Sequence, residues 1–157
     1  MLQRIQSLLL LVAAISMGVF LGTNSFTKQI SPDEAVIVNP YHVLHTKGSL
    51  AAMDKPIYYV ALLGVLALGL SLFSIFQYRN RVRQMLFVAL NSLFMGLSLG
   101  LSVYHIQNDA VKIGADSIQG VYGIGIYAAF LALACNWVAN RFIRKDEKMV
   151  KDADRMR

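Results

Sequence analysis

A chain of 157 residues with 56% apolar side chains and a net charge of +6 is greasier than an ordinary soluble domain, where about half the residues or fewer are apolar. Its charges gather at segment ends and in a tail, leaving long neutral intervals; this points to a membrane protein and away from nucleic acid as a partner. The lone cysteine, Cys135, lies in an apolar run and excludes an internal disulfide, and with it the membrane thiol oxidoreductases that need cysteine pairs.

The chain opens on "MLQRIQSLLLLVAAISMG", whose basic start, apolar core and small residues also suit a cleavable leader. The apolar run continues through "VFLG", long enough to cross a bilayer, so residues 5–23 are read as a first span. Residues 24–55 follow as the one long loop. Within it "AVIVNPYHVLH" sets β-branched and aromatic residues around Asn39-Pro40, which predicts a short hairpin over the bundle mouth. The second span covers 56–78, with Pro56 placed in its first turn, where a missing N–H costs little. A short basic connection, "RNRVRQ", leads to a third span over 85–105. Residues 106–119 form a second, modest loop before a fourth span over 120–140 and a tail over 141–157. No span contains Lys, Arg, Asp or Glu, and a backbone in lipid must satisfy its own hydrogen bonds, so these runs predict helices. The expected fold is one all-α integral membrane domain: an antiparallel four-helix transmembrane bundle with a cytoplasmic C-terminal amphipathic helix.

Counting basic residues orients it. The side holding both termini carries Arg4, Arg79, Arg81, Arg83 and seven basic residues of the tail; the other carries only Lys28, Lys47, Lys55 and Lys112. The excess of positive charge puts both termini in the cytoplasm, with Arg79, Arg81, Arg83, Arg141, Arg144 and Lys145 as the topology anchors.

Lipid removes the hydrophobic drive between helices, so small residues and polar pairs become the expected glue. Gly18 and Gly22 stand in GxxxG spacing, Ser92, Gly96 and Gly100 continue the pattern in span three, and Gly120, Gly123 and Gly125 open a small-residue stripe in span four. Asn91 and Asn136 fall at matched depth, about 6–9 Å from the same end of their spans, and are expected to hydrogen-bond to each other.

Chemistry is harder to find. Proton- and cation-coupled carriers place an ionisable group in the membrane, and the span interiors offer only Asn, Gln, Ser and Tyr. His42, His45 and His105, with Asp109 near, lack a tight ligand motif and read as surface or interfacial polar groups rather than a metal site. Tyr58, Tyr59, Tyr104, Tyr122, Tyr78 and Trp137 lie near span ends as an aromatic belt would. No nucleophile, phosphate-loop or zinc motif is present, so no enzyme activity, cofactor or metal is expected.

Three stretches carry a family likeness: "MLQRIQSLLLLVAAI" at the start, "FQYRNRVRQMLF" at the centre and "IRKDEKMVKDADRMR" at the end. They resemble a bacterial four-span family known as domain of unknown function 4293. The resemblance implies a multi-pass protein of a Gram-negative inner membrane and implies no activity. From the residues, the expected role is structural or accessory: a bundle whose partners are the bilayer and another membrane protein or a second copy. A small carrier or channel for a neutral solute is the alternative. In the tail, Phe142, Met149, Ala153 and Met156 recur at helical spacing, widened by Ile143 and Val150, among paired charges such as Glu147 and Lys151. This helix either extends span four or lies on the membrane, and Met149, Val150, Ala153 and Met156 are its candidate docking residues.

Overall fold

The computed structural model describes residues 2–48, 50–77, 80–114 and 118–155. Four helices are present: α1 (Leu2–Gly22), α2 (Tyr58–Phe76), α3 (Arg81–His105) and α4 (Ile124–Arg155). Between and beside them lie five strands: β1 (Phe26–Ser31), β2 (Glu34–Val38), β3 (His42–Lys47), β4 (Leu50–Pro56) and β5 (Val121–Tyr122). The all-α expectation is therefore wrong. The strands form one antiparallel sheet in the order β4-β3-β2-β1-β5, a meander from the first loop to which the second loop adds an edge strand.

Why the loop folds as a sheet is visible in its alternation. Phe26 and Lys28 on β1 stand opposite Val38 and Val36 on β2, and all four are buried, as is Val43 opposite Val38. Such period-two burial is the mark of a sheet with one covered face. A hydropathy window averages it away, which is why only the β2–β3 hairpin is legible from composition. That hairpin does turn at Asn39-Pro40: the Asn39 carboxamide accepts from the N–H groups of Tyr41 and His42 at 3.0 and 2.7 Å. Gly48 holds the β3–β4 turn with a φ of +64°, a conformation that costs other residues.

Each helix packs on two neighbours, α1 and α3 both lying against α2 and α4. The core runs from Leu10, Val88, Ala139 and Ile143 at one end through Met17, Phe20, Ala67, Met95 and Ala132. It finishes under the sheet among Phe26, Val36, Val38, Ile57 and Ile106. Leu8, Leu62, Leu86, Phe130 and Trp137 point outward and are more than half exposed. An apolar exterior of this kind suits lipid rather than water. Ile5–Gly22, Tyr58–Phe76, Val82–Ala110 and Ile124–Val150 are long and apolar enough to cross a membrane, consistent with a multi-pass membrane protein.

Boundaries shift from those expected. Pro56 ends β4 instead of opening α2, and the Ile57 N–H bonds to the Tyr41 carbonyl at 2.7 Å. Helix α3 starts at Arg81, inside the basic connection, and past His105 widens into a π-turn over Ile106–Ala110. Helix α4 begins at Ile124, so Gly120 and Gly123 precede it. Their smallness serves the sheet: a Cβ on Gly120 would lie 2.0 Å from the Phe26 ring, and one on Gly123 2.1 Å from the Asn24 carbonyl oxygen. The expected GxxxG packing of span one and span three is likewise not built. A Cβ would meet nothing within 4 Å at Gly22, Gly96 or Gly100, and only an ordinary 3.7 Å contact with Leu68 at Gly18. Sequence spacing set these glycines on one stripe, yet in the fold the stripe does not meet a neighbouring backbone. The close helix approach is at Gly64, where an added Cβ would come within 2.8 Å of Leu21.

Candidate functional site

Two hydrogen-bonded polar centres stand out in the structure. The first lies inside the bundle. Asn91 on α3 donates through Nδ2 to the Ser71 hydroxyl of α2 at 2.7 Å and to Asn136 Oδ1 of α4 at 3.1 Å. Asn136 Nδ2 in turn donates to the Ser92 hydroxyl at 2.8 Å and to the Val88 carbonyl at 3.0 Å. The hydrogen bond expected from matched depth is thus present, and it belongs to a network tying three helices. Asn91, Asn136 and Ser71 are all 0% exposed. Asn91 Oδ1 is left without a hydrogen-bond partner among the described residues.

The second centre joins the sheet to the bundle. The wide π-turn is closed by the Val111 N–H bonding five residues back to Ile106 at 2.8 Å, and it turns Asp109 inward beneath β4. There Asp109 Oδ2 accepts from Lys55 Nζ at 2.8 Å and from His105 Nδ1 at 2.6 Å. The far ring nitrogen of His105, Nε2, pairs with the Tyr59 hydroxyl at the start of α2. Because a carboxylate faces Nδ1, that nitrogen carries the hydrogen, so in the neutral ring Nε2 accepts a hydrogen bond from the phenol O–H. The hydrogen bond to Asp109 holds the Lys55 ammonium above its ordinary pKa; partial burial opposes the shift and the carboxylate's charge adds to it. Lys55, Asp109, His105 and Tyr59 therefore form one hydrogen-bonded chain from β4 to the start of α2. Tyr59 is no simple belt residue, since its hydroxyl turns in to His105 while its ring stays half exposed.

The i,i+4 spacing of His105 and Asp109 was the signal available for this centre. Lys55 arrives from a distant strand and gave none. His42 pairs with Asp54 and His45 with Glu34, each at 2.8 Å, so each histidine has its own carboxylate. Among the described residues no three His, Cys, Asp or Glu side chains converge as metal ligands.

The basic end is arranged differently. Arg83, Arg144 and Lys145 are exposed, and Arg141 lies over the Trp137 ring at 5.6 Å from its centre. Arg79 lies outside the described residues, as does the side chain of Arg81. Met149 and Val150 are each 44% exposed on the last turns of α4, whereas Ile143, on the same predicted stripe, is buried against Leu10 and Val88. Met156 and the Ala153 side chain fall outside the described residues. The structure brings Asn91 to Asn136, and leaves the glycine set and the tail set apart from both polar centres.

The model of a family described as a domain of unknown function (DUF4293) matches residues 2–156. No curated protein matches the chain.

Proposed function

The chain belongs to the DUF4293 family, which brings no assigned activity, and we propose that it is an accessory protein of the bacterial inner membrane that docks on a membrane partner or a second copy. The observation that carries this reading is the projecting end of α4. Leu10 and Val88 pack with Ala139 and Ile143 near this end of the bundle. Helix α4 continues from there to Arg155 without a break. Its apolar Met149 and Val150 are each 44% exposed and sit among exposed Arg144, Lys145 and Lys148. Exposed apolar groups rimmed by charge are the composition of a contact surface. The basic excess at this end supports a cytoplasmic location for it, where Arg141, Arg144 and Lys145 meet anionic headgroups.

Docking is favoured over a carrier by the interior. A pathway for a neutral solute needs polar groups facing a void, and here Asn91, Asn136, Ser71 and Ser92 hydrogen-bond to one another. The test is photo-crosslinking in intact membranes from probes at Met149 and Val150. One discrete adduct is expected, lost when residues 149–157 are deleted although the truncated chain still inserts. A full chain that stays adduct-free in membranes and monomeric in mild detergent overturns the docking reading.

A further inference from the structure

Lys28 is the odd charge of this molecule. It sits on the covered face of β1, 2% exposed, directly across from Val36 and two residues from Phe26. An ammonium carries three donors, and Lys28 Nζ makes one hydrogen bond among the described residues, to the Val111 carbonyl oxygen at 2.9 Å. Burying a full charge against a single neutral acceptor is unfavourable, because one carbonyl replaces little of the lost hydration. The carboxylates on this side of the sheet are engaged elsewhere, Glu34 by His45 and Asp109 by Lys55 and His105.

Beside Lys28 is a cavity of about 270 Å³, walled by Phe26, Ile118, Gln119 and Tyr122, with no acidic side chain among the described residues that line it. That is room for about nine water molecules, and for a small organic molecule. The Tyr122 hydroxyl accepts from Gln107 Nε2 at 3.2 Å, which leaves its own hydrogen to donate. The Phe26 and Tyr122 rings meet edge to face, centroids 5.4 Å apart, giving the cavity an apolar wall. Lys28 and Tyr122 bring an ammonium and a phenol to the lining, and Phe26 and Ile118 bring hydrocarbon, a set complementary to one ligand chemistry.

We propose that this cavity binds a small organic carboxylate, its oxygens paired with Lys28 and Tyr122 and its hydrocarbon part against Phe26 and Ile118. The site lies at the opposite end of the bundle from the α4 projection and is independent of the docking role. The ligand supplies the negative charge that the described residues do not.

The test is thermal unfolding of the full chain in a neutral detergent, with acetate, butyrate, benzoate and succinate titrated separately against sodium chloride of equal ionic strength. At least one carboxylate should raise the melting temperature by about 3 °C and saturate. Inorganic phosphate should not match it; an equal rise with phosphate overturns the organic assignment. Lys28→Met, which removes the charge and keeps the volume, should melt no lower than the parent without ligand and lose the rise. Should that variant fail to fold, Ile118→Trp fills the cavity with Lys28 kept and must lose the rise as well. No response to any of the four acids, or an equal response in both variants, overturns the site.

Discussion

The two ends of this bundle handle charge in opposite ways. Under the sheet, Lys28, His105 and Asp109 are buried or nearly so, and each is placed by a hydrogen bond of defined geometry. At the other end Arg83, Arg144 and Lys145 stand exposed. The difference teaches where single substitutions will be felt. At the sheet end a change removes a contact nothing else can replace, whereas at the basic end water and headgroups substitute freely.

The sharpest way to break the comparison is backbone crowding. Gly123 donates its N–H to the Ser25 carbonyl at 2.9 Å, and an added Cβ would press into the Asn24 oxygen. Gly123→Ala should cost about 3 kcal/mol, from overpacking together with the strained bond. Gly100→Ala in the open middle of α3 should be neutral or gain up to about 1 kcal/mol from helix propensity. Denaturant titration in mixed micelles measures both, and equal losses would show that the sheet end is not the tighter region.

Next in size is the charge itself. Asp109→Asn keeps the shape but leaves Lys55 and the buried His105 without their carboxylate, and should cost about 2 kcal/mol. Arg144→Gln on the exposed face of α4 should stay within about 0.5 kcal/mol. Between these lies the bundle interior. Asn136→Ala removes three hydrogen bonds, and membrane hydrogen bonds average well under the strength of isolated ones, so about 1 kcal/mol is expected. A loss above that of Asp109→Asn would reverse the ranking.

How much of this was legible follows from what each region averages. The four spans were plain because an uncharged run of about twenty residues has one physical reading. Asn91 and Asn136 were legible as a pair because depth along two helices is a single coordinate. The sheet was not, because its strands mix inward Phe26 and Val36 with outward Thr27 and Gln29, and because Lys28 points the wrong way for a loop charge. The glycine stripes misled because GxxxG spacing says only that two small residues share a helix face, not that another helix lies against it. Gly64, where α1 does come close, stands in no such pattern that was singled out. The Lys55–Asp109–His105–Tyr59 chain draws on β4, the π-turn, α3 and α2, so only its His105–Asp109 pair has a local trace.

The smallest expected effect is the alkaline limit of that chain. The hydrogen bond to Asp109 raises the Lys55 pKa above its ordinary 10.5 in the folded state. A raised base contributes stability fully below its unfolded pKa and loses it as pH climbs through the folded one, where both states release the proton. Stability that depends on Lys55 should therefore be flat through neutral pH and fade only above about pH 10.5. Tyrosines ionise in the same region, so the readout is a difference: melting temperature of the parent minus that of Lys55→Gln, followed from pH 8 to 12. The Lys55 side chain is 41% exposed, and screening by water keeps the difference small at every pH. A difference that begins to close near neutrality would mean that the contribution does not come from the Lys55 ammonium.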